Sequence, residues 1–218
     1  SMGALTTGSN NTAMGAHSLV AVTDQAGNAA FGRYTLAACT GNYNSAFGYL
    51  GLNAATTASN NATLGHLAGA AVTTGSTNTL IGTEAGDSIT TGSNNIMIGY
   101  QSEVSASGGA NQIGIAIGVA CDQDNQITIG KASNTIKNEF DTDNATLGHM
   151  AGVAVTTGGN NTILGTEAGD ALTTGVGNVI IGYQSASAAV GTDTAIVIGY
   201  QVTGVGGDNF TFGNGGTD

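Results

Sequence analysis

The sequence predicts an all-β protein, a parallel β-solenoid or β-roll of about 17 residues per coil, packed or intertwined as a homotrimer. Three observations predict it. A glycine closes one similar line after another, at Gly15, Gly32, Gly48, Gly65, Gly82, Gly99, Gly118, Gly130, Gly148, Gly165, Gly182, Gly199 and Gly213, usually 16 or 17 residues apart. The same residue types recur at fixed distances before that glycine. Both faces of the segment they define are apolar or small.

Positions are counted here from the closing glycine as zero. Position −1 is always large and apolar: Met14, Phe31, Phe47, Leu64, Ile81, Ile98, Ile117, Ile129, Leu147, Leu164, Ile181, Ile198 and Phe212. Position −4 is Asn11, Asn28, Asn44, Asn61, Asn78, Asn95, Asn144, Asn161, Asn178 and Asn209, a column that stacking would turn into an amide ladder. Position −8 is often threonine: Thr7, Thr40, Thr57, Thr74, Thr91, Thr157 and Thr174. Lines this short and rich in glycine cannot hold a long helix, so each is read as one short strand and a turn.

Strand side chains alternate, so positions −1 and −3 share a face and position −2 points the other way. Position −2 carries Ala13, Ala30, Ala46, Leu80, Met97, Ala116, Ile163, Ile180 and Val197, with threonine in the other lines. A strand buried on both faces needs cover on both. One face fills the lumen of the coil; the other needs a neighbour, which a cyclic homotrimer supplies.

A longer repeat is superposed. Residues 66–102 and 149–185 match at 25 of 37 positions, offset by 83. The chain divides into a first repeat block over 1–130, a charged linker over 131–143, and a second block over 144–218. The linker KASNTIKNEFDTD holds Lys131, Lys137, Glu139, Asp141 and Asp143, which a regular coil would bury badly. An interruption is expected there, by a loop or by strands crossing between chains, and NTIKNEF alternates enough to be a strand.

Composition narrows the partners. Of 218 residues 37 are glycine, none is proline, and 8% are charged, with a net charge of −11. Arg33, Lys131 and Lys137 are the only basic residues apart from histidine, so nucleic acid is not an expected partner. No apolar run reaches spanning length, and no membrane insertion is expected. Ser1-Met2 reads as a cloning remnant, so a longer parent is expected.

The lines Asn11–Gly15, Asn44–Gly48 and Asn161–Gly165 resemble head repeats of trimeric autotransporter adhesins, which form left-handed parallel β-rolls in trimers. TTGSNNIMIGYQS at 90–102 resembles shaft repeats of bacteriophage tail fibres more closely. NQITIGKASNTIKNEFDTDNA at 125–145 resembles the segment joining such repeats to a self-cleaving chaperone domain in marine phage fibres. Here another set of repeats follows, so no residue of that domain carries over. The resemblance implies a trimeric fibre segment on a virion, a stiff rod that presents or forms a receptor-binding surface. The alternatives are a bacterial adhesin head on a cell surface and an ice-binding solenoid. Against ice, the threonines form TT pairs, one of which should point inward.

Expected partners are the chain itself and a host-surface glycan or protein, with no cofactor, no metal and no enzymatic activity. The candidate receptor-facing column follows the glycine: Tyr49, His66, Tyr100, His149, Tyr183 and Tyr200, rings with polar tips. Glu84 with Asp87, and Glu167 with Asp170, sit in identical TEAGD turns and read as solubilising carboxylates rather than a glycosidase pair. DQDN at 122–125 lacks the bidentate glutamate of a Ca²⁺ loop. Three copies of His66 or His149 around a trimer axis could hold a metal, but a surface or interface role is the expectation. Cys39 and Cys121 read as small semi-buried thiols.

Overall fold

The structure, a computed structural model, describes residues 7–131, 134–139 and 143–215. It divides into two compact units, Ser1–Ile129 and Gly130–Asp218, each built as a β-solenoid. In the first unit β1 (Thr12–Met14), β2 (Ala29–Phe31), β3 (Ser45–Phe47), β4 (Ala62–Leu64), β5 (Thr79–Ile81), β6 (Ile96–Ile98), β7 (Ile113–Ile115) and the first part of β8 (Gln126–Lys131) pair in chain order, all parallel. In the second, β9 (Asn134–Glu139) runs antiparallel to β10 (Asn144–Leu147). Parallel pairing then resumes through β11 (Thr162–Leu164), β12 (Val179–Ile181), β13 (Ile196–Tyr200) and β14 (Phe210–Asn214). The expected strand in NTIKNEF is β9, and it interrupts the parallel order as an antiparallel strand of the same chain; Phe140 lies outside the described residues.

Each letter of the recurring TTGSNN has a separate task in holding one coil to the next. The first threonine donates its hydroxyl along the stack: both the amide and the hydroxyl of Thr73 reach the Thr90 carbonyl, at 2.8 and 3.0 Å. The glycine sits where coils approach closely; a Cβ on Gly75 would overlap the Gly92 carbonyl oxygen. The serine hydroxyl accepts from the amide one coil back, Ser59 to Ser76 at 3.1 Å and Ser76 to Ser93 at 3.0 Å. The first asparagine turns the corner in the left-handed region, with φ of 60° at Asn60 and 62° at Asn94, a conformation asparagine tolerates better than most residues.

The second asparagine points inward. The Asn78 amide N–H and Nδ2 both donate to Asn61 Oδ1, at 2.9 and 3.1 Å, and Nδ2 also donates to the Gly92 carbonyl at 3.0 Å. Asn78 Oδ1 then accepts the same pair from Asn95, at 3.0 and 3.1 Å. The column Asn28, Asn44, Asn61, Asn78 and Asn95, and Asn144, Asn161 and Asn178 in the second unit, is buried. Asn11, in the first described coil, is half-buried and donates to the Gln25 carbonyl. Gln112 continues the ladder beyond Asn95, its amide donating to Asn95 Oδ1 at 3.0 Å.

Position −2 fills the lumen: Ala30, Ala46, Leu80 and Met97 in one unit, Ile163, Ile180 and Val197 in the other, all buried. Lumen volume is shared between this position and position +4. Where position −2 is alanine (Ala13, Ala30, Ala46), position +4 is leucine (Leu19, Leu36, Leu52). Where position −2 is Leu80 or Ile163, position +4 is Gly86 or Gly169. A Cβ on Gly86 would come within 2.7 Å of a Leu80 methyl, so a larger residue there would require Leu80 to move. The leucines accept a left-handed backbone, φ 50°, 51° and 47°, to fill the space.

Two expectations are corrected. Gly118 does not close a line. Gly114 pairs with Met97, which puts Ala116 in the closing position 17 residues after Gly99, with Ile115 at −1 and Gly114 at −2. Gly118 instead takes the left-handed corner at position +2, with φ 62°. Nor does either residue of a TT pair point inward: Thr57, Thr74, Thr91, Thr157 and Thr174 are exposed and their predecessors are exposed or half-buried.

Two outcomes follow. Gly82→Ala would overlap the Gly99 carbonyl oxygen at φ 135° and should prevent stable folding of the first unit, whereas Gly118→Ala, facing open space, should cost about 1 kcal/mol in urea titration. Asn78→Ala leaves the Asn95 amide and the Gly92 carbonyl without partners and should cost roughly 2–4 kcal/mol by the same measurement.

Candidate functional site

After the closing glycine the chain turns outward. Position +2 is left-handed in coil after coil: His17, Tyr34, Leu50, Leu67, Glu84 and Gln101, then Met150, Glu167, Gln184 and Gln201, with φ between 51° and 59°. This repeated corner sets the side chains of positions +1 and +2 in two parallel rows on the surface.

The predicted column lies in these rows. Tyr49, Tyr100, Tyr183 and Tyr200 are exposed, as is His66, and His149 is half-buried. Two pairs come together: Tyr49 stacks on His66 at 5.5 Å between centroids and 8° between planes, and Tyr183 on Tyr200 at 5.2 Å and 17°. Tyr100 and His149 do not join them; Tyr100 lies between Thr83 and Ile117 in the column, and Thr166 follows His149. A third pair was missed by sequence reading. His17 stacks on Tyr34 at 4.8 Å and 7°, with the Arg33 guanidinium 4.7 Å from the Tyr34 ring centre. Its signal was present, since both residues stand two after a closing glycine.

The TEAGD carboxylates act along the stack. Glu84 accepts from Gln101 Nε2 at 2.7 Å and Glu167 from Gln184 Nε2 at 2.6 Å, and Gln201 continues to Gln184 at 2.8 Å. The two turns then differ. Glu103 reaches back to the first, accepting from the Asp87 amide at 2.9 Å and from the Ser88 hydroxyl. Ala186 stands in the matching place of the second copy. Burial first, and then the adjoining Asp87 carboxylate, push the Glu103 carboxyl up to about 7.

Asp124 of the DQDN run is also structural, accepting from the Ala110 amide and from Gln112 Nε2 at 2.8 and 2.9 Å. Among the described residues no three His, Cys, Asp or Glu side chains gather as a metal site. Cys39 and Cys121 form no disulfide and are buried, deeper than expected, and burial pushes the Cys39 thiol up, away from the reactive thiolate.

The outer face of the strands is apolar. Met14, Phe47, Leu64 and Ile81 at position −1 are exposed, Met14 by 63% and Leu64 by 55%. Phe31 stacks on Phe47 with centroids 4.6 Å apart. Ser45, Phe47, Ala62, Thr63, Leu64 and Ile81 line a shallow depression of about 360 Å³. In the second unit Leu147, Leu164, Ile198 and Phe212 occupy position −1 and are exposed.

No helix among the described residues is long and apolar enough to cross a membrane. Comparison with known proteins finds no matching family model, curated protein or solved structure.

Glu103 makes a pH dependence specific to the first unit. Its folded-state value near 7 lies above the ordinary 4.5, so between these limits the folded protein holds a proton that the unfolded chain has released. Stability should therefore fall as pH rises through this window. Glu103→Gln should flatten that slope in urea midpoints taken from pH 4.5 to 7.5.

Proposed function

We propose that this chain is a structural and adhesive rod segment of a trimeric phage tail fibre, which spaces a receptor-binding surface from its anchor or forms part of that surface. The observation that carries the reading is the apolar row on the outer face of the sheet. Isolated apolar residues on a surface are ordinary, but a contiguous row coil after coil is not. Covering it costs little entropy when the partner is an identical rigid coil, and a cyclic trimer covers every copy alike. The likeness of residues 90–102 to fibre shaft repeats supports the same reading.

A stack joined by backbone and amide bonds at every coil suits a mechanical task, because opening any coil breaks bonds to two neighbours. The TT pairs support an ice surface less well. They lie in a bend outside the strand, and the hydroxyl of the first threonine is engaged with the next coil at Thr56, Thr73, Thr90, Thr156 and Thr173.

Light scattering coupled to gel filtration should give a mass near three times 21.2 kDa. Ile81→Asp, a change on the outer face that leaves the lumen intact, should shift it towards one chain with the β circular dichroism retained. A wild-type monomer would overturn the trimeric rod.

A further inference from the structure

The chain is acidic, with 14 Asp and Glu against 3 Lys and Arg. One edge reverses this. Positions +1 and +2 of the first four coils carry His17, Arg33, Tyr34, Tyr49 and His66, and no carboxylate enters either row before Glu84. Arg33 is the single arginine of the chain, and among the described residues it has no carboxylate partner.

Stacking fixes how these groups present themselves. His17 lies on Tyr34 and Tyr49 on His66, with planes within 8° of parallel, so each ring covers one face of its partner. Ring edges, with the phenol hydroxyls and imidazole nitrogens, are left for solvent. The Tyr34 ring supports the Arg33 guanidinium, which keeps its planar fork of donors available. The edge is thus a row rich in donors beside one fixed cation.

We propose that this edge binds a carboxylated polysaccharide, a chain of uronic-acid-type units. Arg33 takes a carboxylate, and the Tyr49 and His66 edges take ring hydroxyls. A neutral sugar would leave the guanidinium unmatched. A nucleic acid would need clustered cations for its phosphates, and the edge has one. The inference rests on reading the chain as an adhesive rod and names the ligand class of that rod.

The test is calorimetric titration of the whole chain with oligogalacturonate, neutral dextran and dextran sulfate. Oligogalacturonate should bind and dextran should not. Arg33→Gln should weaken oligogalacturonate binding about tenfold or more, with circular dichroism unchanged. Tyr49→Ala should weaken it as well. No binding by the wild type, equal binding by Arg33→Gln, or dextran sulfate binding that is as tight and indifferent to Arg33→Gln would each overturn the proposal. Light scattering on the same samples separates the two readings: a trimer that ignores oligogalacturonate defeats only this inference, and a monomer that binds it defeats the trimeric rod.

Discussion

A parallel stack in register lays most side chains over the residue at the same place in the next coil, about 4.8 Å away. Each position must therefore suit a near copy of itself. The carboxamide is one of the few polar groups that does, since it carries donors and acceptors together. The inner asparagines meet the condition completely: Oδ1 of one coil accepts the amide and Nδ2 of the next, and Nδ2 also reaches a glycine carbonyl such as Gly92. Carboxylates fail it, because equal charges would face each other at every step. This accounts for a chain that is only 8% charged and for how its acids are placed. Glu84 lies beside Gln101 and Glu167 beside Gln184, so an acid meets an amide, and a second acid is not added to either column.

Glycine meets the same constraint in another way. At the closing position and at position −7 the next coil's carbonyl occupies the space of a Cβ, as at Gly82 and Gly75. At position +2, as at Gly118, the demand is on φ alone, and other residues can meet it at some cost, as Tyr34 does at 59°. One residue type thus serves two physical purposes that a letter in a sequence does not separate. This is why Gly118 reads as the end of a line. The internal duplication held the remedy, because an offset of 83 sets Ala116 opposite Gly199 and shows which column Ala116 occupies.

The period, the strand in each line and the alternation of faces were legible because each rests on a pattern of large residues. The inward direction of the asparagine column was not, since a polar residue can face water or a ladder with equal ease. The threonine pairs were misread for a related reason. Alternation holds only in a strand, and Thr73 and Thr74 lie in a bend. The surface edge was legible as a column but not as pairs. Which rings meet depends on which coils are neighbours in register, and that selects Tyr49 with His66 and leaves Tyr100 between Thr83 and Ile117.

The shared volume of the lumen gives the repeat a grammar. Alanine with leucine runs through three consecutive coils of the first unit, and a large residue meets glycine at Leu80 and Ile163, whereas Met97, Ile180 and Val197 stand with Glu103, Ala186 and Thr203. Between the alanine–leucine coils and that of Leu80 lies a coil with Thr63 and Gly69, small at both places, where the Thr63 hydroxyl is buried without a partner. Among the three alanine–leucine coils a whole line can be gained or lost with like still meeting like, so length there becomes a counted quantity that changes in steps of one strand spacing. At the seam that freedom ends. The start of the first unit is in this sense a ruler whose divisions are interchangeable up to one mark.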